Sequence, residues 1–205
     1  MQTIHIVDYG MGNLHSVQKA FAFLGARPVL TQDPVQIEQA ERLVLPGVGA
    51  FADAMAELER LQLTGAIRRA AESGTPLIGI CLGMQLLFES SMEGGYCQGL
   101  GLLEGRIEKL PDKGLKIPHM GWNTVENRDK IFFKQLPAEF SVYFVHSFAA
   151  LDTRPPYVAG VTEYGVPFAC AVRQKHIFGA QFHPEKSGEN GIQILRNFLS
   201  YQGEA

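Results

Sequence analysis

The residues Pro76-Leu77-Ile78-Gly79-Ile80-Cys81-Leu82-Gly83-Met84-Gln85-Leu86-Leu87-Phe88 decide how the chain folds. Their left half, Leu77, Ile78 and Ile80 behind a proline, is a short apolar run that suits a buried strand. Their right half places Leu82, Leu86 and Glu89 at helical spacing, with good helix formers from Met84 to Phe88. Cys81 sits at the join, flanked by Gly79 and Gly83. The pattern G-x-C-x-G is the thiol form of a strand-to-helix nucleophile elbow. Such a turn strains the backbone of its central residue, and side chains two positions to either side would collide. The thiol then points out of the sheet edge, where helical N–H groups and the positive end of the helix dipole favour an anion. A bare cysteine after an apolar run is otherwise a core residue. The glycine pair argues for chemistry, and a base and a carboxylate elsewhere must complete it.

Toward the N-terminus, strand and helix patterns alternate. Residues 4–7 read as a strand, ended by Asp8-Tyr9-Gly10-Met11-Gly12-Asn13, and Leu14, Val17, Phe21 and Leu24 line one face of a helix stopped by Gly25. Gly10-x-Gly12 lacks the third glycine of a dinucleotide fingerprint, His15 standing in its place, so it reads as a tight turn capped by Asn13. Residues 28–30 form a second strand, Asp33-Pro34 opens a helix as cap and first residue, and residues 43–45 form a third strand. That strand runs into Pro46-Gly47-Val48-Gly49, whose glycines free the backbone to turn N–H groups toward a ligand. Phe51, Met55 and Leu58 mark another helix, and residues 66–71 a further turn or two. The rhythm predicts an α/β fold: a mostly parallel central sheet with helices on both faces, and ligands at the carboxyl ends of its strands. Cys81 and the Gly47–Gly49 loop both lie at such ends.

Toward the C-terminus the rhythm changes. Residues 90–105 are glycine-rich and read as loop, and Lys116-Ile117-Pro118-His119-Met120-Gly121-Trp122-Asn123 carries the sole tryptophan in another expected loop. Residues 142–145, 157–159, 168–172 and 177–181 then follow one another as antiparallel hairpin additions, joined to the parallel sheet or forming a second small one. Ile192, Leu195 and Leu199 give a closing amphipathic helix.

At 205 residues, 46% hydrophobic and 19% charged, the chain reads as one domain over 1–205. A net charge of -3 without any basic run argues against nucleic acid or anionic membrane as partner. No stretch approaches the roughly 20 apolar residues of a membrane span. The start, Met1-Gln2-Thr3-Ile4-His5, lacks signal-peptide character. Cys81, Cys97 and Cys170 show neither metal spacing nor an even disulfide framework, so no metal and a cytoplasmic location are expected.

The strand ending at Gln181 continues as Phe182-His183-Pro184-Glu185. A carboxylate two residues from an imidazole, across a proline that fixes the backbone, can hold the ring's tautomer and stabilise its charged form. His5 and His15 read as packing or surface residues, and His176 as a turn residue. His119 and His146 stay open as strand-end or loop residues. Cys97 and Cys170 read as structural.

Gly79-Ile80-Cys81-Leu82-Gly83 together with His183-Pro184-Glu185 resembles the class I, triad-type glutamine amidotransferases, over nearly the whole chain. Within that class the chain is similar to the glutaminase subunits of imidazole glycerol phosphate synthases. The carrying stretches are Asp8-Tyr9-Gly10-Met11-Gly12-Asn13-Leu14, Leu45-Pro46-Gly47-Val48-Gly49-Ala50-Phe51, Gln85-Leu86-Leu87-Phe88-Glu89-Ser90-Ser91, Pro118-His119-Met120-Gly121-Trp122-Asn123 and Tyr143-Phe144-Val145-His146-Ser147. Several sister amidotransferases have Pro-Gly-Gly in place of Pro46-Gly47-Val48-Gly49.

The resemblance implies that Cys81 attacks the side-chain amide of glutamine, His183 shuttles the proton and Glu185 orients His183. Backbone N–H groups of Leu82 and of Val48 and Gly49 would hold the oxyanion, and Gln85, Glu93, Ser147 and Phe148 the substrate's amino-acid end. No cofactor is implied. Ammonia would pass to a cyclase subunit as heterodimer partner, which combines it with a phosphorylated ribulosyl imidazole intermediate in histidine biosynthesis. Asn13, Trp122 and Lys186 are the expected partner-facing residues. Glu185 lies about twenty residues from the end of the sequence, leaving no room for a synthase domain, which favours a separate partner. Two other readings use the same fold: a free-standing cysteine hydrolase of gamma-glutamyl substrates, and a binding module without catalysis. The intact triad counts against the second.

Overall fold

The structure, a computed structural model, describes residues 1–203. Its first half follows the expected alternation: β1 (Thr3–Val7), α1 (Leu14–Phe23), β2 (Arg27–Thr31), α2 (Pro34–Glu38), β3 (Leu43–Gly47), α3 (Phe51–Arg60), α4 (Leu63–Glu72), β4 (Leu77–Cys81) and α5 (Leu82–Leu86). The second half is mostly strand: β5 (Phe88–Ser91), β6 (Cys97–Gln98), β7 (Leu103–Lys109), β8 (His119–Asn127), β9 (Glu139–His146), β10 (Phe148–Ala149), β11 (Val158–Glu163), β12 (Pro167–Gln174) and β13 (Ile177–Ala180). A 3-10 turn, Pro184–Lys186, and α6 (Gly188–Ser200) complete it.

The caps work as their residue types dictate. The Asn13 side chain accepts from Ser16 N at the start of α1, and Asp33 accepts from Val35 N with Pro34 at the first position of α2.

A nine-stranded sheet runs in the order β2-β1-β3-β4-β13-β12-β11-β8-β9, parallel from β2 to β13 and antiparallel beyond. β3 and β4 are buried along their whole length, which explains why they read as unbroken apolar runs. On one face α1 and α6 pack Val17, Phe21, Ile194 and Phe198 against Ile4, Ile6, Val44, Ile78 and Ile80. On the other, α3 and α4 pack Phe51, Leu58, Ala66 and Ile67 against Val7, Leu43, Leu45 and Leu77. The expected α/β architecture with helices on both faces is the one found.

All four segments expected as hairpin additions join the large sheet. β9, β11 and β12 lie in its antiparallel part, whereas β13 is a central strand that pairs parallel with β4. The second, four-stranded sheet, β10-β7-β5-β6, is built from other segments. Residues 90–105 therefore contain strand where a loop was expected. The helix after Cys81 is also shorter than its periodicity suggests, ending at Leu86. The carbonyls of Leu86, Leu87, Phe88 and Glu89 accept from backbone N–H groups of residues 99–103 instead, which converts the rest of the pattern into β5. Tertiary pairing here overrides helix propensity.

The elbow glycines are sterically required. A Cβ on Gly79 would come within 2.6 Å of the Gly83 carbonyl oxygen, and one on Gly83 would run into the Leu45 carbonyl of β3. Both obstacles are backbone, one in α5 and one in β3. Gly83→Ala is therefore expected to lose about 3 kcal/mol or more of stability. Denaturant midpoints would measure it, and an unshifted midpoint would show that α5 can move away from β3 at little cost.

Candidate active site

The parallel pairing of β13 with β4 builds the site. Gly179 aligns with Gly79 and Ala180 with Ile80, so the segment Gln181-Phe182-His183 emerges beside Cys81. On the other flank Gly47 aligns with Cys81, which sets the Val48-Gly49 loop next to the thiol. Cys81 has φ +54° and ψ -111°, the strained turn foreseen for the elbow.

His183 Nδ1 lies 2.8 Å from Glu185 Oε1, with both side chains almost wholly buried. The acceptor is a carboxylate, so Nδ1 carries a proton and Nε2 is directed to other work. Nε2 and Glu185 Oε2 have no hydrogen-bond partner. Burial alone would depress the imidazole, but the approach of Cys81 and the hydrogen bond and charge of Glu185 outweigh it and raise the ring to about 9. The turn carrying the pair is clamped in turn. Ser187 Oγ donates to the His183 carbonyl at 2.6 Å and accepts from Tyr143 N at 3.0 Å, and His183 N donates to the Tyr143 carbonyl at 2.9 Å.

A cavity of about 410 Å³ opens in front of the thiol, and every expected oxyanion and substrate position lines it: Val48, Gly49, Leu82, Gln85, Glu93, Ser147 and Phe148, together with Cys81 and His183. Glu185 stands behind His183. Gln85 Nε2 donates to the Phe148 carbonyl at 2.9 Å and to Gln181 Oε1 at 3.0 Å. Both its N–H groups are thereby used, leaving its oxygen as the group it can offer a ligand. Glu93 Oε2 accepts from Phe51 N at 2.8 Å and caps α3. Its second carboxylate oxygen remains to meet a cation.

Four contributors are not assigned to the site by the sequence. Pro118 and His146 line the cavity, and Gln181, fully buried, places its amide nitrogen 3.9 Å from Cys81 Sγ. Tyr9, 1% exposed, donates to the Pro46 carbonyl at 2.8 Å and so pins the start of the Gly47–Gly49 loop. Burial, then the charge at Cys81, pushes its phenol up, so it stays a donor. The only signal for these residues was their place inside or beside quoted motifs.

Asn13, after β1, and Lys186, after β13, lie beyond the carboxyl ends of parallel strands, as Cys81 does. Trp122 is in a strand rather than the expected loop. The β8–β9 ladder runs from His119 opposite His146 to Glu126 opposite Glu139, and alternation turns Met120 and Trp122 outward. Trp122 is 60% exposed, edge-on to Tyr143 at 6.2 Å. Cys97 and Cys170 are free thiols outside the cavity.

A thiol on a strained strand-to-helix turn, an imidazole with Nε2 unengaged beside it and a carboxylate on the far nitrogen have the arrangement that a nucleophile, base and orienter need for acyl transfer. On a sheet of this topology that set defines a triad-type cysteine amidase. The chain belongs to the glutamine amidotransferase class-I family, whose profile matches residues 5–201. Within it, the chain is 51% identical over 199 residues to the imidazole glycerol phosphate synthase subunit HisH of Moorella thermoacetica, covering 97% of this chain and 94% of that one. It is 47% identical over 203 residues to the HisH subunit of Sulfurimonas denitrificans, covering 97% and 98%. Among solved structures, PurLQS from Thermotoga maritima superposes with a TM-score of 0.76 at 22% identity over 98% of both chains. A glutamine amidotransferase crystal structure does so with 0.74 at 18% identity over 95% and 98%. Those two likenesses bear on the fold. No helix among the described residues is long and apolar enough to cross a membrane.

Proposed function

We propose that this chain is the glutaminase subunit of an imidazole glycerol phosphate synthase, acting in histidine biosynthesis with a separate cyclase subunit. The observation that carries the chemistry is the meeting of Cys81 and His183 on the wall of one cavity, with Glu185 behind the imidazole at 2.8 Å. The near full-length HisH relatives carry the pathway. Free thiols at Cys81, Cys97 and Cys170 suit a reducing cytoplasm.

Glutamine enters with its amino-acid end against Gln85, Glu93, Ser147 and Phe148. Its ammonium suits the Gln85 oxygen and the spare Glu93 oxygen. The Cys81 sulfur attacks the side-chain amide carbon, the C=O electrons move to oxygen, and N–H groups of Leu82 and of the Val48-Gly49 loop meet the oxyanion. His183 Nε2 takes the Cys81 thiol proton and gives it to the leaving nitrogen, the C–N bond breaks, and ammonia departs from a glutamyl thioester. Water then attacks the thioester as Nε2 takes its proton, the C–S bond breaks, and Nε2 returns that proton to the departing sulfur, releasing glutamate and the free thiol.

The Pro46–Gly49 loop is the natural control point. It is tied at both ends, by Tyr9 at Pro46 and by Glu93 at Phe51, and Gly49 between them has φ +107°. A peptide flip there would present or withdraw an oxyanion donor, worth roughly a hundredfold to a thousandfold in rate. The cyclase would favour the active flip by docking on the face that holds Asn13, Trp122 and Lys186.

Glutamate release by the purified chain is therefore expected to be very slow alone and strongly stimulated by the cyclase with its ligand bound. Trp122→Ala should weaken docking about tenfold or more without shifting the unfolding midpoint, because the ring is exposed and carries little core packing. Full activity in the isolated chain would favour the free-standing hydrolase instead.

A further inference from the structure

Two histidines outside the triad form a buried chain of hydrogen bonds whose direction is fixed from its ends. His119 and His146 are 3% and 6% exposed, and His119 Nδ1 lies 2.9 Å from His146 Nε2. His146 Nδ1 lies 2.9 Å from the Phe148 carbonyl, which can only accept, so Nδ1 holds the proton. In the neutral ring Nε2 is then an acceptor, and His119 Nδ1 must donate to it. His119 Nε2 is left to accept from Asn123 Nδ2, 3.3 Å away, whose amide also donates to the Glu163 carbonyl at 2.9 Å. Desolvation keeps both rings neutral, lowering His119 to about 4 and His146 to about 3. The His119 ring is held by stacking on Phe144 at 4.7 Å and on Tyr164 at 4.1 Å.

What this chain holds is the point where the backbone changes sheets. β9 ends at His146 in the nine-stranded sheet and β10 begins at Phe148 in the four-stranded one, with Ser147 alone between them. Ser147 and Phe148 form the cavity wall, and the Phe148 carbonyl accepts from His146 on one side and Gln85 on the other. Leu110 N donates to the Ser147 carbonyl at 2.9 Å and β10 pairs with β7, so the backbone anchors the crossover on one side, while the Phe148 carbonyl is fixed by the two side chains, His146 and Gln85.

We propose that His146, oriented by His119, is a positioning residue for glutamine: it fixes the His146–Phe148 crossover so that Ser147 and Phe148 meet the substrate's amino-acid end. The proposal deepens the glutaminase reading above and rests on it. His146 acts through the Phe148 carbonyl and takes no part in bond breaking, so its effect falls on substrate binding.

The test is steady-state glutamine hydrolysis by the complex with its cyclase. His146→Phe keeps an aromatic ring among Phe144 and Phe168 but removes both nitrogens. It is expected to raise KM for glutamine about tenfold, the worth of one or two hydrogen bonds, with kcat within about threefold of wild type. His146→Asn, whose amide nitrogen can stand where Nδ1 stood, should restore most of the loss. His119→Phe, which retains the stacking and removes the donor to His146, should raise KM in the same direction and serves if His146→Phe does not fold. Synthesis from added ammonium salts should be unchanged in all three. An unchanged KM in the Phe variants, or a loss confined to kcat, overturns the positioning role while wild-type hydrolysis leaves the glutaminase reading standing. Absence of glutamine hydrolysis in the wild-type complex would remove that reading itself.

Discussion

Replacing Cys81 with alanine or serine is expected to lower glutamine hydrolysis on the order of a millionfold, as removal of a triad nucleophile does, yet to leave synthesis from ammonium salts intact. The sulfur's position explains both halves. It sits at the strained join of β4 and α5, facing a cavity that His183 shares, which is why the proposed mechanism places the thioester there. Alanine removes the sulfur at the cavity edge and serine exchanges it for a hydroxyl oxygen, and both leave the elbow glycines and the sheet untouched. Cys97→Ala and Cys170→Ala serve as controls. Cys97 is half-buried in β6, and burial pushes the fully enclosed Cys170 thiol up and away from reactivity. Both should hydrolyse glutamine at nearly the wild-type rate. Loss of ammonium-dependent synthesis in the Cys81 variants would assign Cys81 to folding or docking instead of catalysis.

His183→Asn should lower hydrolysis by a similar order, about a millionfold, and Glu185→Gln by about ten-thousandfold. The difference lies in what each removes. Without the imidazole no group at Nε2 can carry the proton between sulfur, leaving nitrogen and water. Without the carboxylate the ring is present but its tautomer and charge are no longer held through the 2.8 Å contact. The electrostatics give a second reading. His183 is raised to about 9 in the folded chain against an ordinary value near 6.5 when unfolded. Its charged form therefore contributes stability that is fully present below about pH 6.5 and is lost as pH rises through about 9. Glu185→Gln removes one of the two supports of that charge, so the upper edge of the window should move down. Unfolding midpoints measured across pH 6 to 10 would show it. A Glu185→Gln enzyme with unchanged rate and an unchanged pH profile would send the search to another carboxylate.

Much of the site was legible because its chemistry is encoded between near neighbours. Gly79 and Gly83 flank Cys81 for steric reasons internal to a strand-to-helix turn. Pro184 fixes the two-residue step from His183 to Glu185. The first four strands and the caps at Asn13 and Asp33 follow from patterns that repeat within a few residues. The same local logic failed after Leu86. A helical pattern there lost its carbonyls to backbone N–H groups of residues 99–103 and became β5. It failed again at Trp122, whose glycine- and asparagine-flanked setting suggested a loop but whose backbone is consumed by the ladder with β9.

The sequence by itself determined the reactive residue types, the tight turns that present them and the α/β rhythm, since each depends on sterics and hydrogen bonding over two to seven neighbouring positions. Only the tertiary structure decided which of those pieces meet. The alignment of Gly179 with Gly79 brings His183 to Cys81, and the alignment of His119 with His146 joins two histidines into the support of the cavity wall. Strand register between distant segments is set by how whole sheets and their helices pack. No residue within reach of a local pattern carries that information.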